Sequence, residues 1–243
     1  MNARIKGDTM KTSHAILIGA SLIIAFFVFG IFFYSARVAD NTINVVGAAT
    51  KRFDSDIVKW RITLSRTTEE RTMSAGYKLM QADLLTLREL LKSRNIDEKD
   101  ISIQPINTEP VYGAQGKTSN YNILQSLFVV TSNIAAIEAL ALDPGALLEK
   151  GVVLQNSTLE YLNSKLSDIK MELLSEATKD ARKRAEEIAK YSGASLGPVV
   201  SLKAGVFQIN EPFSNEVSDY GMYNTQTKQK DITVTVRATF RIE

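Results

Sequence analysis

Residues 57–64 read IVKWRITL, and residues 67–95 read TTEERTMSAGYKLMQADLLTLRELLKSRN. In the first stretch Val58, Trp60, Ile62 and Leu64 alternate with Lys59, Arg61 and Thr63. Side chains of a strand point to opposite faces in turn, so the pattern predicts a half-buried strand. In the second stretch Met73, Tyr77, Met80, Leu84, Leu87 and Leu91 recur every three or four residues, the spacing of one helix face. Thr67, with Glu70 three residues on, reads as a capping box, and a helix of about 26 residues is expected from Thr68. A strand and a long helix, each with one apolar face, must bury those faces against each other. That sets the class as a sheet packed with helices.

Working outward, Ile43–Ala48 is expected as a strand before this pair. Residues 101–131 read as a hairpin after it. Ile101, Ile103 and Val111 lie on the first arm, Gly113 and Gly116 in the turn, and Tyr121–Thr131 on the second arm. Pro105 and Pro110 cannot donate to a ladder, which places the first arm at an edge or a bulge. Asn133 caps a short helix through Leu142, Asp143-Pro144 restarts one, and Gly151 stops it. Val152–Leu162 is a further strand. A long helix follows, with Leu166, Ile169, Leu173, Ala177, Ala181, Ala185 and Ile188 on its buried stripe and Gly193 as its C-terminal cap. Its outer face pairs Asp180 with Arg184, Arg182 with Glu186 and Lys183 with Glu187. Two strands close the chain, Pro198–Ile209 and Asp231–Ile242, with an aperiodic loop between them. Neighbouring strands dominate this order, so the fold is α+β, with mixed, mostly antiparallel sheets packed with long helices.

Before all of this stands AILIGASLIIAFFVFGIFFY, Ala15–Tyr34, without a charge or a proline. About 20 apolar residues suffice to cross a bilayer, and the apolar part of a cleaved signal is shorter. The exit, FFYSARVADN, puts Tyr34 or Arg37 where signal cleavage wants a small residue, so a retained anchor is expected. Arg4, Lys6 and Lys11 precede it against Asp8 alone, which keeps the N-terminus in the cytoplasm and exports the rest. The expected organisation is a cytoplasmic tail at 1–14, a transmembrane anchor at 15–36, a linker at 37–42 and an exported domain at 43–243. The expected location is the cytoplasmic membrane, single-pass, with the main domain in the periplasm.

Composition narrows the chemistry. The 243 residues carry 29 Lys and Arg, 27 Asp and Glu, one His and no Cys. Arg4, Lys6, Lys11, Arg37 and Asp8 fall within the first 37 residues, leaving 25 cations against 26 acids in the exported part. That balance lacks the clustered basic face of a nucleic-acid binder. Absence of cysteine excludes disulfides and thiolate chemistry. The single histidine, His14, lies at the membrane edge, away from any exported site. Asp54 and Asp56 read as turn carboxylates, ARKRAEE as a solvated helix face, and Trp60 as core. Serines and lysines are numerous, but no motif marks one pair as a dyad. No metal site, cofactor site or catalytic residue is indicated. The loop 210–230 differs: Phe213, Tyr220, Met222 and Tyr223 sit among polar residues, and a long loop rich in aromatics suits an interface or a ligand.

Three stretches together resemble the SIMPL-domain family of bacterial envelope proteins. They are INVVGAATKRFDSDIVKWRITLS (43–65), LLKSRNIDEKDISIQPINTEPVYG (90–113) and ATKDARKRAEEIAKYSGASLGPVVSL (177–202). Ser55-Asp56 stands where the family usually has Pro-Asp. The resemblance spans residues 43–242. It implies a periplasmic α+β protein that forms large homo-oligomeric rings, in some members linked to oxidative or envelope stress, with no agreed catalytic residue. Many members look secreted, whereas this chain looks anchored.

The expected function is therefore a membrane-anchored, non-enzymatic scaffold or stress protein. It would form a homo-oligomer larger than a dimer, with residues 210–242 contributing to the contact, because the last strand, Asp231–Ile242, is expected as an uncovered edge that invites pairing with another chain. The bilayer, through Ala15–Tyr34, and an unidentified envelope protein are the other expected partners. The alternatives are a module binding a peptide, glycan or protein through the aromatic loop, and a hydrolase using carboxylates or a Ser–Lys pair.

Overall fold

The computed structural model describes residues 5–37, 41–113 and 118–243. Residues 38–40 of the expected linker, residues 1–4 of the tail and Gly116 of the hairpin turn lie outside them. The chain runs α1 (Ile5–Arg37), β1 (Thr42–Asp54), β2 (Ile57–Thr68), α2 (Met73–Ser93), β3 (Ile101–Tyr112) and β4 (Thr118–Thr131). It continues with α3 (Ile134–Ala141), α4 (Gly145–Leu148), β5 (Leu154–Leu162), α5 (Leu166–Tyr191), β6 (Leu196–Ala204), β7 (Gln208–Asn210), β8 (Met222–Tyr223) and β9 (Gln229–Ile242). The architecture is α+β with mixed sheets, as expected. Two units separate, Val46–Arg182 with Lys203–Arg237, and Met1–Val45 with Lys183–Leu202 and Ala238–Glu243.

In the larger unit β3, β4, β2 and β5 form an antiparallel sheet in that order. The alternation at 57–64 puts Val58, Trp60, Ile62 and Leu64 on its buried face. There they meet Met80, Leu87 and Leu91 of α2 and Ile137 and Leu140 of α3. Each such side chain contributes about 1.5–3 kcal/mol by leaving water. Trp60 brings one polar group inside, and its indole N–H donates to Ser157 Oγ at 2.9 Å. Asp83, on the buried face of α2, is matched by the Arg66 guanidinium at 2.5 and 2.6 Å. Without that partner a buried carboxylate would be strongly destabilising. β3 is one of the two edge strands of this sheet, and its pairing shifts between Ile103 and Ile106, around Pro105.

The second sheet runs β1, β9, β7, β8, with β6 also paired to β9. In the larger unit α5 lays Leu173 and Ala177 against Phe53, Ile209, Ile232, Val234 and Val236. Helix and strand approach closely at Gly47, where any side chain would run into the backbone of Ala177 and Ala181. In the smaller unit Ile242 N–H donates to Asn41 C=O at 2.8 Å, and Ser195 and Glu243 exchange backbone hydrogen bonds. There too lies α1, whose span Thr12–Ser35 is long and apolar enough to cross a membrane.

Several local expectations need correction. The capping box does not form: Thr67 remains in β2, where its hydroxyl donates to Asn122 Oδ1. A short 3-10 turn, Glu70–Thr72, intervenes and α2 has 21 residues. Pairing with β4 out to Thr68 outcompetes the cap. On α5 the buried line advances by four residues each turn through Ala177, Ala181 and Ala185, so it winds around the helix to Ala189 and leaves Ile188 49% exposed. The strand expected at Pro198–Ile209 breaks into β6 and β7. Lastly, β9 is no open edge. It lies between β1 and β7, and its alternation is that of an interior antiparallel strand with one buried face.

Candidate functional site

The loop after β7 is fastened down by three amide side chains. Gln208 donates to Ser218 C=O at 2.6 Å and accepts from Ser218 N–H at 3.3 Å. Asn210 donates to Glu216 C=O at 2.7 Å. Asn224 donates to Glu211 Oε2 at 2.7 Å and caps the return by accepting from Gln226 N–H. Met222 and Tyr223 then pair in parallel with Gln208 and Ile209 as β8. The segment expected to lack structure therefore holds a defined path. Gly221 makes the return possible: its φ is +85°, and a Cβ there would lie 2.9 Å from Phe207 C=O.

This fastened backbone turns large apolar side chains outward. Phe213 is 89% exposed, Tyr220 is 97% exposed, and Val217 lies between them in sequence, also exposed. Phe213 has a φ of +67°, a left-handed conformation that a bulky residue adopts only under constraint. The constraint lies beneath it. Arg52 places its guanidinium 4.5 Å from the Phe213 ring and forks onto Asp231 at 2.7 and 2.8 Å. The Arg52 hydrogen bonds hold the Asp231 carboxyl below the usual carboxylate range, outweighing its partial burial, with help from Phe213 N–H. Of the four expected site residues, Tyr220, Met222 and Tyr223 come together. They line a groove of ≈ 390 Å³ with Phe207 and Lys170, whose ammonium lies 5.2 Å from the Phe207 ring centre. Phe213 does not join them.

A second feature lies below the loop. Lys230 is 1% exposed, and its ammonium donates to Ser55 Oγ at 2.8 Å and Tyr161 C=O at 2.9 Å. No carboxylate pairs with it among the described residues, and burial pushes its pKa down to about 8. Tyr161 in turn donates its hydroxyl to Glu138 Oε1 at 2.6 Å. Burial and that bond push the tyrosine up to about 12. Glu138 is completed by Lys228 at 2.6 Å. An amine of lowered pKa on a serine hydroxyl is the arrangement that can activate a nucleophile. Here it is sealed: Ser55 is 8% exposed, and its N–H is committed to Lys228 C=O at 2.8 Å. Asp54 and Asp56 point to separate partners, Gln229 Nε2 and the N–H and hydroxyl of Ser164. Among the described residues no three His, Asp or Glu side chains gather as a metal site would require.

Sequence reasoning missed the Ser55–Lys230 pair. A signal was present: Lys230 stands in register with Ile232, Val234 and Val236, a lysine on the buried face of its strand. Arg52 beneath Phe213 left no such trace, because 161 residues separate the two and they meet only through the pairing of β1 with β9 and of β9 with β7, the strand that leads into Phe213.

No curated protein matches the chain. Residues 43–241, from β1 to β9, match SIMPL, described as a protein of unknown function (DUF541). The strand, glycine and hairpin sequences at 43–65 and 90–113 fall within that match, and the chain belongs to the SIMPL family.

Proposed function

We propose that the protein is a membrane-anchored, non-enzymatic scaffold that associates with copies of itself into a homo-oligomer larger than a dimer. The loop Glu211–Tyr223 is its contact. The observation that carries this reading is the fastened loop with Phe213, Val217 and Tyr220 held out in water. Exposed apolar groups on an ordered support are characteristic of interaction sites, and aromatic anchors dominate binding energy. The sealed state of Ser55 speaks for a scaffold over a hydrolase, because a nucleophile must reach its substrate. The span Thr12–Ser35, with Lys6 and Lys11 ahead of it, supports a retained anchor with the N-terminus in the cytoplasm and the domain outside. That location favours a role in the cell envelope, including under stress.

Mass photometry of the full chain in detergent tests association. Particles of more than two chains are expected, and Phe213→Ala with Tyr220→Ala should shift them to monomer. A wild-type monomer at every concentration ends the self-association reading. The groove beside Lys170 supports a second reading, a module that holds a peptide, glycan or another envelope protein by its aromatic wall.

A further inference from the structure

The loop that carries the aromatics is acidic. Glu211, Glu216 and Asp219 lie within Glu211–Tyr223, which contains no lysine or arginine. Glu216 and Asp219 are exposed and meet no cation among the described residues. The opposite character appears where β6 ends. Lys203, Arg237 and Val46 line a cleft of ≈ 250 Å³ with Ala204, Gly205 and Thr235. Lys203 and Arg237 are exposed, and neither carries a carboxylate partner among the described residues. Gly205 keeps the cleft floor low, because a Cβ there would lie 2.8 Å from Thr235 Oγ1. Ala204, Gly205 and Thr235 also floor a neighbouring cleft of ≈ 480 Å³, whose far wall is Val217, Ser218 and Asp219. An acidic lip with exposed apolar groups and a basic lip therefore flank two clefts that share Ala204, Gly205 and Thr235.

We propose that the basic cleft at Lys203 and Arg237 receives the acidic aromatic loop of a second copy of this chain. The inference rests on the self-association reading and names the two surfaces that would meet. Each lip leaves unpaired charges of one sign, and each supplies what the other lacks. Charge complementarity of this kind selects the partner and fixes its register, while buried aromatics supply affinity. One loop in one cleft is a small contact, below the ~1,000 Å² expected of a stable interface in solution. Copies anchored in the same bilayer need less, because tethering raises their effective concentration toward the millimolar range.

The test uses full-length protein in detergent, with sedimentation velocity as the readout and circular dichroism as the check on folding. Two variants reverse one lip each: Glu216→Lys with Asp219→Lys, and Lys203→Glu with Arg237→Glu. Each alone should weaken association by about tenfold or more, since each then presents two lips of like sign. Mixed in equal amounts they should assemble again, because the basic loop of one now meets the acidic cleft of the other. Assembly of the cleft variant at wild-type strength overturns the proposed docking and leaves self-association standing. Failure of the mixture to assemble, with both variants folded, overturns it equally. A wild-type protein that never associates removes the underlying reading as well.

Discussion

At the scale of the residue, Lys230 shows what burial does to a charge. Its pKa falls from an ordinary 10.5 to about 8, so between these values the unfolded chain holds a proton that the folded chain has released. Stability therefore rises with pH from about 8 toward 10. Above about 10 the sign reverses, because Tyr161 ionises near 10 when unfolded but is pushed up to about 12 when folded. Urea unfolding of the full chain across this range should trace a maximum near pH 10. Lys230→Met should abolish the rise and Tyr161→Phe the fall. Serine-directed fluorophosphonate is expected to leave Ser55 unlabelled, since the residue is 8% exposed and its hydroxyl accepts from a buried lysine. Labelling at Ser55 would revive a hydrolase. At Gly47 the issue is space alone. Gly47→Ala pushes a methyl into the α5 backbone and should cost about 2–4 kcal/mol in unfolding free energy.

At the scale of the element, the loop Glu211–Tyr223 allows folding to be tested apart from the proposed contact. Phe213 and Tyr220 contribute little to the core, so Phe213→Ala and Tyr220→Ala should stay within about 0.5 kcal/mol of wild-type stability while weakening association. A melting point that drops with them would make the loop structural. The elements also show what can be read from sequence. β2, α2 and β9 were legible because one face of each is apolar at a fixed period. Pro105 placed β3 at an edge because a missing N–H is a local property. The end of β2 was not legible: Thr67 and Glu70 satisfy the local rule for a helix start, and only the partner strand β4 overrules it. The position of β9 in its sheet escaped for the same kind of reason. One buried face looks alike in an edge strand and an interior one of an antiparallel sheet. The aromatic loop was legible in composition, but the fastening by Gln208, Asn210 and Asn224 depends on contacts that composition does not encode.

At the scale of the whole molecule, α1 decides where the remainder works. If the anchor is retained, protein recovered from membranes should begin within residues 1–14, and a start between Ala36 and Thr42 would refute it. A cysteine at Ser218 should react with an impermeant thiol reagent added from outside the cytoplasmic membrane, and one at Thr9 should not. The pairing of β1 with β9 carries a further consequence, in time. β1 is the first strand made and β9 the last. At about 5–20 residues per second, roughly ten to forty seconds pass between them on the ribosome. Throughout that interval β1 has no partner, and Lys51, Arg52 and Asp54 along it are the kind of charges that discourage an unpaired strand from joining a wrong one. The chain thus holds a vacancy open from its first strand to its last. A message truncated before Gln229 should yield protein that is degraded or aggregated, however complete the hairpin and helices between.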